Sequence, residues 1–211
     1  MKKGKFISIE GIEGVGKSCN AKIIEKCLKQ AEIKVTMTRE PGGTPVAEKI
    51  RTILKDSNTE KITEMSELLM MFSSRSQNVR NVIAPSLTSG NWVICDRFTD
   101  STRAYQGGGR GIPIDTINKL ASMVHKDINP DFIFLFDAPI DVCINRIRKR
   151  GKLDRFESEN FEFFNKVRNA YLGLAASKPD KFILIDTNKS FSEVKNDVEK
   201  EIKKIIKSSI L

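Results

Sequence analysis

The sequence predicts an α/β fold in which a five-stranded parallel sheet is flanked by helices on both faces. Three observations carry this. Five short apolar runs, each strand-length, alternate with stretches whose apolar residues recur at helical spacing. The first run passes directly into a glycine-rich loop, and the third and fourth close on an aspartate. In right-handed parallel crossovers the C-terminal strand ends share one edge of the sheet, so loop and acids are expected together there.

Composition sets the outer limits. The 211 residues suit one sizeable domain, residues 1–211, without internal repeats or low-complexity segments. No apolar run approaches the ~18 residues a membrane span needs. The basic start, Met1 to Lys5, leads into a strand-length run without a cleavage site, so a cytoplasmic protein with no membrane association is expected. A net charge of +9 favours anionic partners, and nucleic acid, a membrane surface or phosphorylated metabolites all satisfy it. Cys19, Cys27, Cys95 and Cys143 form no C-x-x-C pair, which argues against a zinc site and a disulfide framework. The single histidine, His125, reads as a surface or half-buried helix residue rather than a ligand.

The first strand, Lys5 to Glu10, meets Gly11-Ile12-Glu13-Gly14-Val15-Gly16-Lys17-Ser18, the pattern G-x-x-x-x-G-K-S. Glycines let successive N–H groups wrap around phosphate oxygens, Lys17 meets the β/γ charges, and the Ser18 hydroxyl suits Mg²⁺. A helix follows from Lys17 to Gln30, with Ile23, Ile24, Cys27 and Leu28 as its apolar stripe and its positive dipole end at the loop. These features place the fold in the P-loop NTPase class.

Lys34 to Thr38 is the second strand. The turn Arg39 to Thr44 and the helix Val46 to Lys55, which contains Arg51, read on their own as a plain connection and a solvated face. From Ile62 to Leu87, residues Ile62, Met65, Leu69, Phe72, Val79 and Ile83 predict one long helix with a buried face, kinked or ended by Pro85. Phe72 therefore reads as core. Met71 and Arg75, four apart, share an adjacent face able to look into a cleft.

The third strand, Trp92 to Cys95, finishes on Asp96-Arg97, the acid being the magnesium-side carboxylate expected of a P-loop protein. Phe98 to Gly111 reads as a mobile or tightly turned loop, with four glycines in five positions. Tyr105 offers a flat wall, and Gln106 an amide able to read a base edge. A helix over Ile114 to Lys126 and a fourth strand, Phe132 to Phe136, follow; the latter ends on Asp137, another candidate acid. The next helix, from Ile140, runs into six cations within ten residues, Arg146 to Arg155. A nucleic-acid patch, a solvated helix end or a lid over polyphosphate would each explain them, and the P-loop favours a lid at about residues 146–156. A helix over Glu159 to Ala176, a fifth strand over Phe182 to Ile185, and a final helix with Phe191, Val194, Val198, Ile202 and Ile205 on one face complete the chain.

With Arg39-Glu40-Pro41-Gly42-Gly43-Thr44, Asp96-Arg97-Phe98, Ala104-Tyr105-Gln106-Gly107 and the basic stretch in hand, the chain resembles the bacterial thymidylate kinase family over nearly its whole length. The resemblance implies the reaction ATP + dTMP ⇌ ADP + dTDP with Mg²⁺, a step towards dTTP, and a homodimer that needs no nucleic acid or membrane. It implies that Gly11 to Ser18 bind ATP, that Ser18 and Asp96 serve the metal, and that Lys17, Arg97, Arg146, Arg148 and Arg150 supply catalytic charge. On the dTMP side it implies Glu13 at the sugar 3′-hydroxyl and Arg97 and Arg51 at the monophosphate, lined by Glu40 and Pro41. Arg75 and Gln106 resemble the pair that reads thymine, with Thr102 beside them and Tyr105 crowding a 2′-hydroxyl.

Two positions qualify the match. Met71 stands where the family usually has Phe, so a sulfur contact is expected to replace ring stacking on the base, and a kinase for another pyrimidine nucleotide such as dUMP is the nearest alternative. Gly14 stands where a eukaryotic-like branch has Arg, so the cation is expected from the lid. A GTPase lacks its N-K-x-D and D-x-x-G motifs here, and a nucleic-acid-stimulated ATPase is the distant alternative of another class.

Overall fold

The structure is a computed structural model and describes residues 3–58, 60–151 and 153–210. Its strands are β1 (Phe6–Glu10), β2 (Val35–Arg39), β3 (Trp92–Asp96), β4 (Phe132–Asp137) and β5 (Phe182–Asp186). They form one sheet in the order β2-β3-β1-β4-β5, with every pair parallel. Central β1 pairs with β3 on one side and β4 on the other, so the crevice where crossovers diverge opens at its C-terminal end, where the glycine loop begins.

Both faces of the sheet are covered, as the unbroken apolar strands require. Phe6 of β1 packs with Val93, Cys95, Phe98, Val79, Ile83 and Leu87. Its neighbours Ile7 and Ile9 join Ile94 in the larger core, with Ile24 and Leu28 on one helix and Val198 and Ile202 on another. Successive strand residues thus enter different layers.

The helices are α1 (Lys17–Gln30), α2 (Pro45–Lys55), α3 (Glu64–Asn78), α4 (Ala84–Thr88), α5 (Thr99–Thr102), α6 (Ile114–His125), α7 (Ile140–Arg148), α8 (Phe161–Ser177) and α9 (Phe191–Ile210). Side-chain oxygens start several of them: Thr44 accepts from Ala47 N at 3.2 Å, and Asn160 accepts from Phe163 N at 2.8 Å. No helix among the described residues is long and apolar enough to cross a membrane.

Three local expectations are corrected. The long helix over residues 62–87 is interrupted by a π turn at Val79–Ile83, between α3 and α4. Pro85 lacks an N–H and its ring collides with a preceding carbonyl, and the widened turn just before it accommodates both. Nor does the buried stripe run through Met65 and Leu69, each 48% exposed; Leu68 and Phe72 face the core instead. At the C-terminal helix, Phe191 is likewise exposed while Val194, Val198, Ile202 and Ile205 are buried.

The glycine-rich stretch is a helix, not a loop. α5 continues into a π-helical segment at Arg103–Gly109, which packs along α8. A β-carbon on Gly108 would stand 2.6 Å from Cβ of Ala170, and one on Gly109 2.6 Å from the Phe163 ring. The glycines therefore serve close helix approach rather than mobility. His125 is also corrected: it is buried, with Thr99 Oγ1 2.7 Å from Nε2 and the Ile128 carbonyl 2.9 Å from Nδ1. Burial first, then the charge of Arg75, pushes its pKa down to about 4, so the ring is neutral at physiological pH.

Gly108→Ala tests the packing role. The Ala170 β-carbon is fixed by its backbone, so the clash should outweigh the helix-propensity gain and destabilise by about 1 kcal/mol or more. Urea denaturation measures this, and an unchanged or raised midpoint would show that α8 and the glycine segment are not in tight register.

Candidate active site

A cleft of about 370 Å³ opens at the C-terminal edge of β1, β2 and β3. At its floor the loop turns through left-handed glycines, Gly14 and Gly16 both having φ of 83°. A β-carbon at Gly14 would collide with the Cys143 carbonyl, so close packing of α7 against the loop excludes any side chain there, Arg included. Gly14, Gly16, Lys17 and Ser18 line the cleft with Glu13, while Ile12 and Val15 are buried beneath it and anchor the loop in the core. Gly11 holds the loop from behind, its carbonyl accepting from Lys17 Nζ at 2.9 Å and Arg97 Nη1 at 3.1 Å. Lys17 also donates to Ile12 O at 2.7 Å. Burial and the nearby Arg97 charge lower its pKa to about 8, leaving it a cation at neutral pH.

Ser18 and Asp96 meet as expected, with Oγ donating to Oδ2 at 3.4 Å. The other carboxylate oxygen, Oδ1, is buried without a partner. A hydroxyl and a carboxylate are the hard oxygen donors Mg²⁺ prefers, and the orphan oxygen is the polar group such an ion would satisfy. Among the described residues no group of three or more His, Cys, Asp or Glu could hold a metal, so an ion here would take its other ligands from phosphate and water.

Arg97 is the hub. It follows β3 with a left-handed φ of 72°, costly for a residue with a β-carbon and typical of functional sites. Its Nη2 donates to Glu13 Oε1 at 2.7 Å and to the Tyr105 hydroxyl at 3.2 Å; Nη1 reaches Ser101 Oγ at 3.2 Å and the Tyr171 hydroxyl at 3.3 Å. The Tyr105 hydroxyl closes the ring by donating to Glu13 Oε2. Burial alone would raise the Glu13 carboxyl, but the charges of Arg97 and Lys17 and the Tyr105 bond outweigh it and leave it below its ordinary value. Arg51 lines the same wall as Glu40 and Pro41, donating to the Pro41 carbonyl at 2.8 Å. The Glu40–Pro41 peptide is cis.

Deeper in, Arg75 is 2% exposed. Its Nε donates to Glu40 Oε2 at 2.6 Å and its Nη2 to Thr102 Oγ1 at 3.0 Å, while Nη1 is buried without a partner. Met71 and Gln106 line the cleft, but Arg75 and Thr102 stand behind that lining. The helical argument that gave Arg75's face to Met71 alone is corrected: the guanidinium stacks 4.8 Å from the Phe72 ring and 5.2 Å from Phe98.

The basic stretch divides. Arg146 and Arg150 line the cleft, Arg146 donating to Thr187 O at 2.9 Å and Arg150 to Glu157 at 2.8 Å. Arg148 instead lines a separate groove between α7 and α8, so the structure does not bring it to the cleft. Lys152 lies outside the described residues. Asp137 is held by Arg168 through two bonds of 2.7 Å and is absent from the cleft lining.

Sequence reasoning missed Glu10, Tyr171, Phe156 and Glu67. Glu10 accepts from Phe98 N at 2.9 Å, Ser101 Oγ at 2.5 Å and Tyr171 OH at 3.1 Å. Its place at the end of an apolar strand was the available signal. Phe156, which follows the basic stretch, sets its ring edge-on 6.3 Å from Tyr105, both lining the cleft. Tyr171 and Glu67 sit in ordinary helical patterns that mark nothing.

A phosphate loop, a hydroxyl–carboxylate pair and arginines converging on one cleft define a P-loop phosphotransferase. Comparison with known proteins narrows the class. The thymidylate kinase family model matches residues 9–198. A thymidylate kinase of Ectopseudomonas mendocina is 44% identical over 196 residues, covering 93% of each chain. That of Pseudomonas fluorescens Pf0-1 is 44% identical over 206 residues, covering 98% of each. The crystal structure of thymidylate kinase from Ehrlichia chaffeensis superposes with a TM-score of 0.77 at 31% identity, covering 97% of this chain and 99% of that one. The chain belongs to the thymidylate kinase family.

Glu10 makes the site's electrostatics testable. Burial, then the charge of Asp100, raises its pKa from 4.5 to about 7. A carboxyl whose folded value is raised stabilises below its unfolded pKa and loses that contribution as pH rises through the folded one. Between pH 4.5 and about 7 the unfolding free energy of wild type relative to Glu10→Gln should therefore fall by about 3 kcal/mol. A pH-independent difference would show that Glu10 is ionised throughout.

Proposed function

We infer that the protein transfers the γ-phosphoryl group of ATP to dTMP, giving ADP and dTDP. The carrying observation is the continuous cleft that runs from the P-loop past the Arg97–Glu13–Tyr105 ring of hydrogen bonds to Met71 and Gln106, with Arg75 behind them. A distance set by rigid strand ends can hold two phosphates in line only if both ligands enter this cleft.

The acceptor is a phosphate oxygen already anionic at neutral pH, so no general base is needed and catalysis is positioning plus charge stabilisation. Loop amides and Lys17 hold the donor phosphates. Arg97 and Arg51 hold the monophosphate, and Glu13 takes the sugar hydroxyl. Tyr105, pinned by Glu13 and Arg97, walls the sugar. The orphan Nη1 of Arg75 and the Gln106 amide supply hydrogen bonds to the base edge. Ser18 and Asp96 would hold Mg²⁺, which would supply charge to shield the donor phosphates.

The residues 146–156 act as a lid on a one-domain enzyme. Arg146 and Arg150 bring its charge inward, which supports a lid over a nucleic-acid patch. Lys55 pairs with Asp154 at 2.7 Å and Arg155 donates to Leu54 O at 2.7 Å, seating the segment on the end of α2. The reading extends to a cytoplasmic homodimer; exposed Val46, Ile53, Met65 and Leu69 on neighbouring α2 and α3 support a self-association face.

ADP release from Mg-ATP offered dTMP, dUMP, dCMP, dGMP or the ribose analogue of TMP tests the substrate; equal or better use of another nucleotide would overturn the dTMP assignment. Arg150→Ala should lower turnover about 10³-fold, while Arg148→Ala should leave it near wild type. The opposite ranking would place Arg148 over the phosphates.

A further inference from the structure

Behind the base end of the cleft lies Glu67 of α3, buried to 1% exposure. Three side chains from two segments converge on it. Gln106 Nε2 donates to Oε1 at 2.7 Å. Arg110 donates from Nε and Nη2 to the two oxygens, each at 3.3 Å. Arg155, from the lid segment, places Nη2 2.7 Å from Oε2, an ion pair lying off the hydrogen-bond line.

A carboxylate paired with two guanidiniums offers acceptors only, whereas a glutamine amide has one donating and one accepting end. The end that meets a ligand is decided by whatever pins the other. With Nε2 committed to Glu67, the free end is Oε1; among the described residues none donates to it, and Gln106 lines the cleft.

We propose that Glu67 sets the pyrimidine preference of the enzyme by locking the Gln106 amide with its acceptor towards the base. Thymine and uracil present an N–H at N3, and cytosine presents a lone pair there. An acceptor that cannot rotate matches the first two and opposes the third, which is specificity by repulsion as well as attraction. The inference rests on Gln106 reading the base edge. Through Arg155 the same carboxylate ties that amide to the root of the lid, so the residues that read the base and those that close over the phosphates share one buried charge.

The test is Glu67→Gln, read as the ratio of kcat/KM for dTMP to that for dCMP. Both substrates meet the same active molecules, so loss of folded protein cancels in the ratio. Glutamine at 67 can itself donate, which frees Gln106 to turn over, and the ratio should fall about tenfold or more, with dUMP following dTMP. Arg155→Ala removes the lid pair without freeing the amide and should lower turnover on both substrates at constant ratio; a ratio that falls there equally would overturn the proposal. An unchanged ratio in Glu67→Gln, with a ratio that collapses in Gln106→Ala, overturns the role of Glu67 alone. Unchanged ratios in both overturn the base-reading role of Gln106 as well. Should Glu67→Gln not fold, ¹⁵N-labelled wild-type protein gives the answer: the Gln106 side-chain amide protons should exchange slowly with water, and fast exchange would overturn the proposal.

Discussion

The buried charge cluster around Arg97 is the constraint on which the rest of the site depends. One guanidinium bonds the P-loop at Gly11 and Glu13, the helical segment after β3 at Ser101 and Tyr105, and α8 at Tyr171. Taking it out of water is tolerable only because these partners surround it at once, and removal of any one leaves the remainder underpaired. Its left-handed backbone is held for the same reason, since a relaxed φ would swing the side chain away from all of them. The glycines at 107 to 109 belong to this constraint too. α8 must come close enough for the Tyr171 hydroxyl to reach both Ser101 and Glu10, and side chains at 108 and 109 would hold it off, while one at 107 would strike Ile114 of α6.

The remaining cations are held differently, and the difference has chemical consequences. Lys17 rests on two carbonyls, Arg51 on the Pro41 carbonyl, and Arg146 on the Thr187 carbonyl. Neutral acceptors fix a cation's position without cancelling its charge, so the positive potential of the cleft survives its own organisation. Carboxylate partners hold Arg97, Arg75 and Arg150, and also Arg39 and Lys55 at the rim. Of these, Arg150 is the most exposed and can exchange Glu157 for phosphate at least cost, which suits the lid role proposed for it.

Much of this was legible in the sequence, and the exceptions have physical causes. All five strands and α1 lie where apolar runs and the glycine loop put them, because buried parallel strands and phosphate loops leave strong local marks. Helical spacing failed at Met65 and Leu69 because steps of three and of four both fit a helical stripe, and the face of α3 that packs runs through Leu68 and Phe72. Glycine clustering misled at 107 to 109 because close helix packing and loop flexibility select the same residue. The predicted cleft residues mostly converge. Arg148 was misplaced because a run of cations does not say on which side of a helix end each one lies. Glu67, Glu10 and Tyr171 act only through partners at least 39 residues away in sequence, so no local pattern contains them.

The base end shows how the departure at Met71 is absorbed. Arg75 is oriented on its edges by Glu40 and Thr102 and on its faces by Phe72 and Phe98. None of those four contacts involves Met71, so replacing the family's usual ring there leaves the direction of the unpaired Nη1 unchanged. What Met71 alters is the cleft wall, where a flexible thioether stands in for a flat ring. On the proposed reading, strength of contact and reading of the edge are thereby separated: dispersion against the base would vary with residue 71, while recognition would rest on Arg75 and on the amide of Gln106, each held by a buried carboxylate.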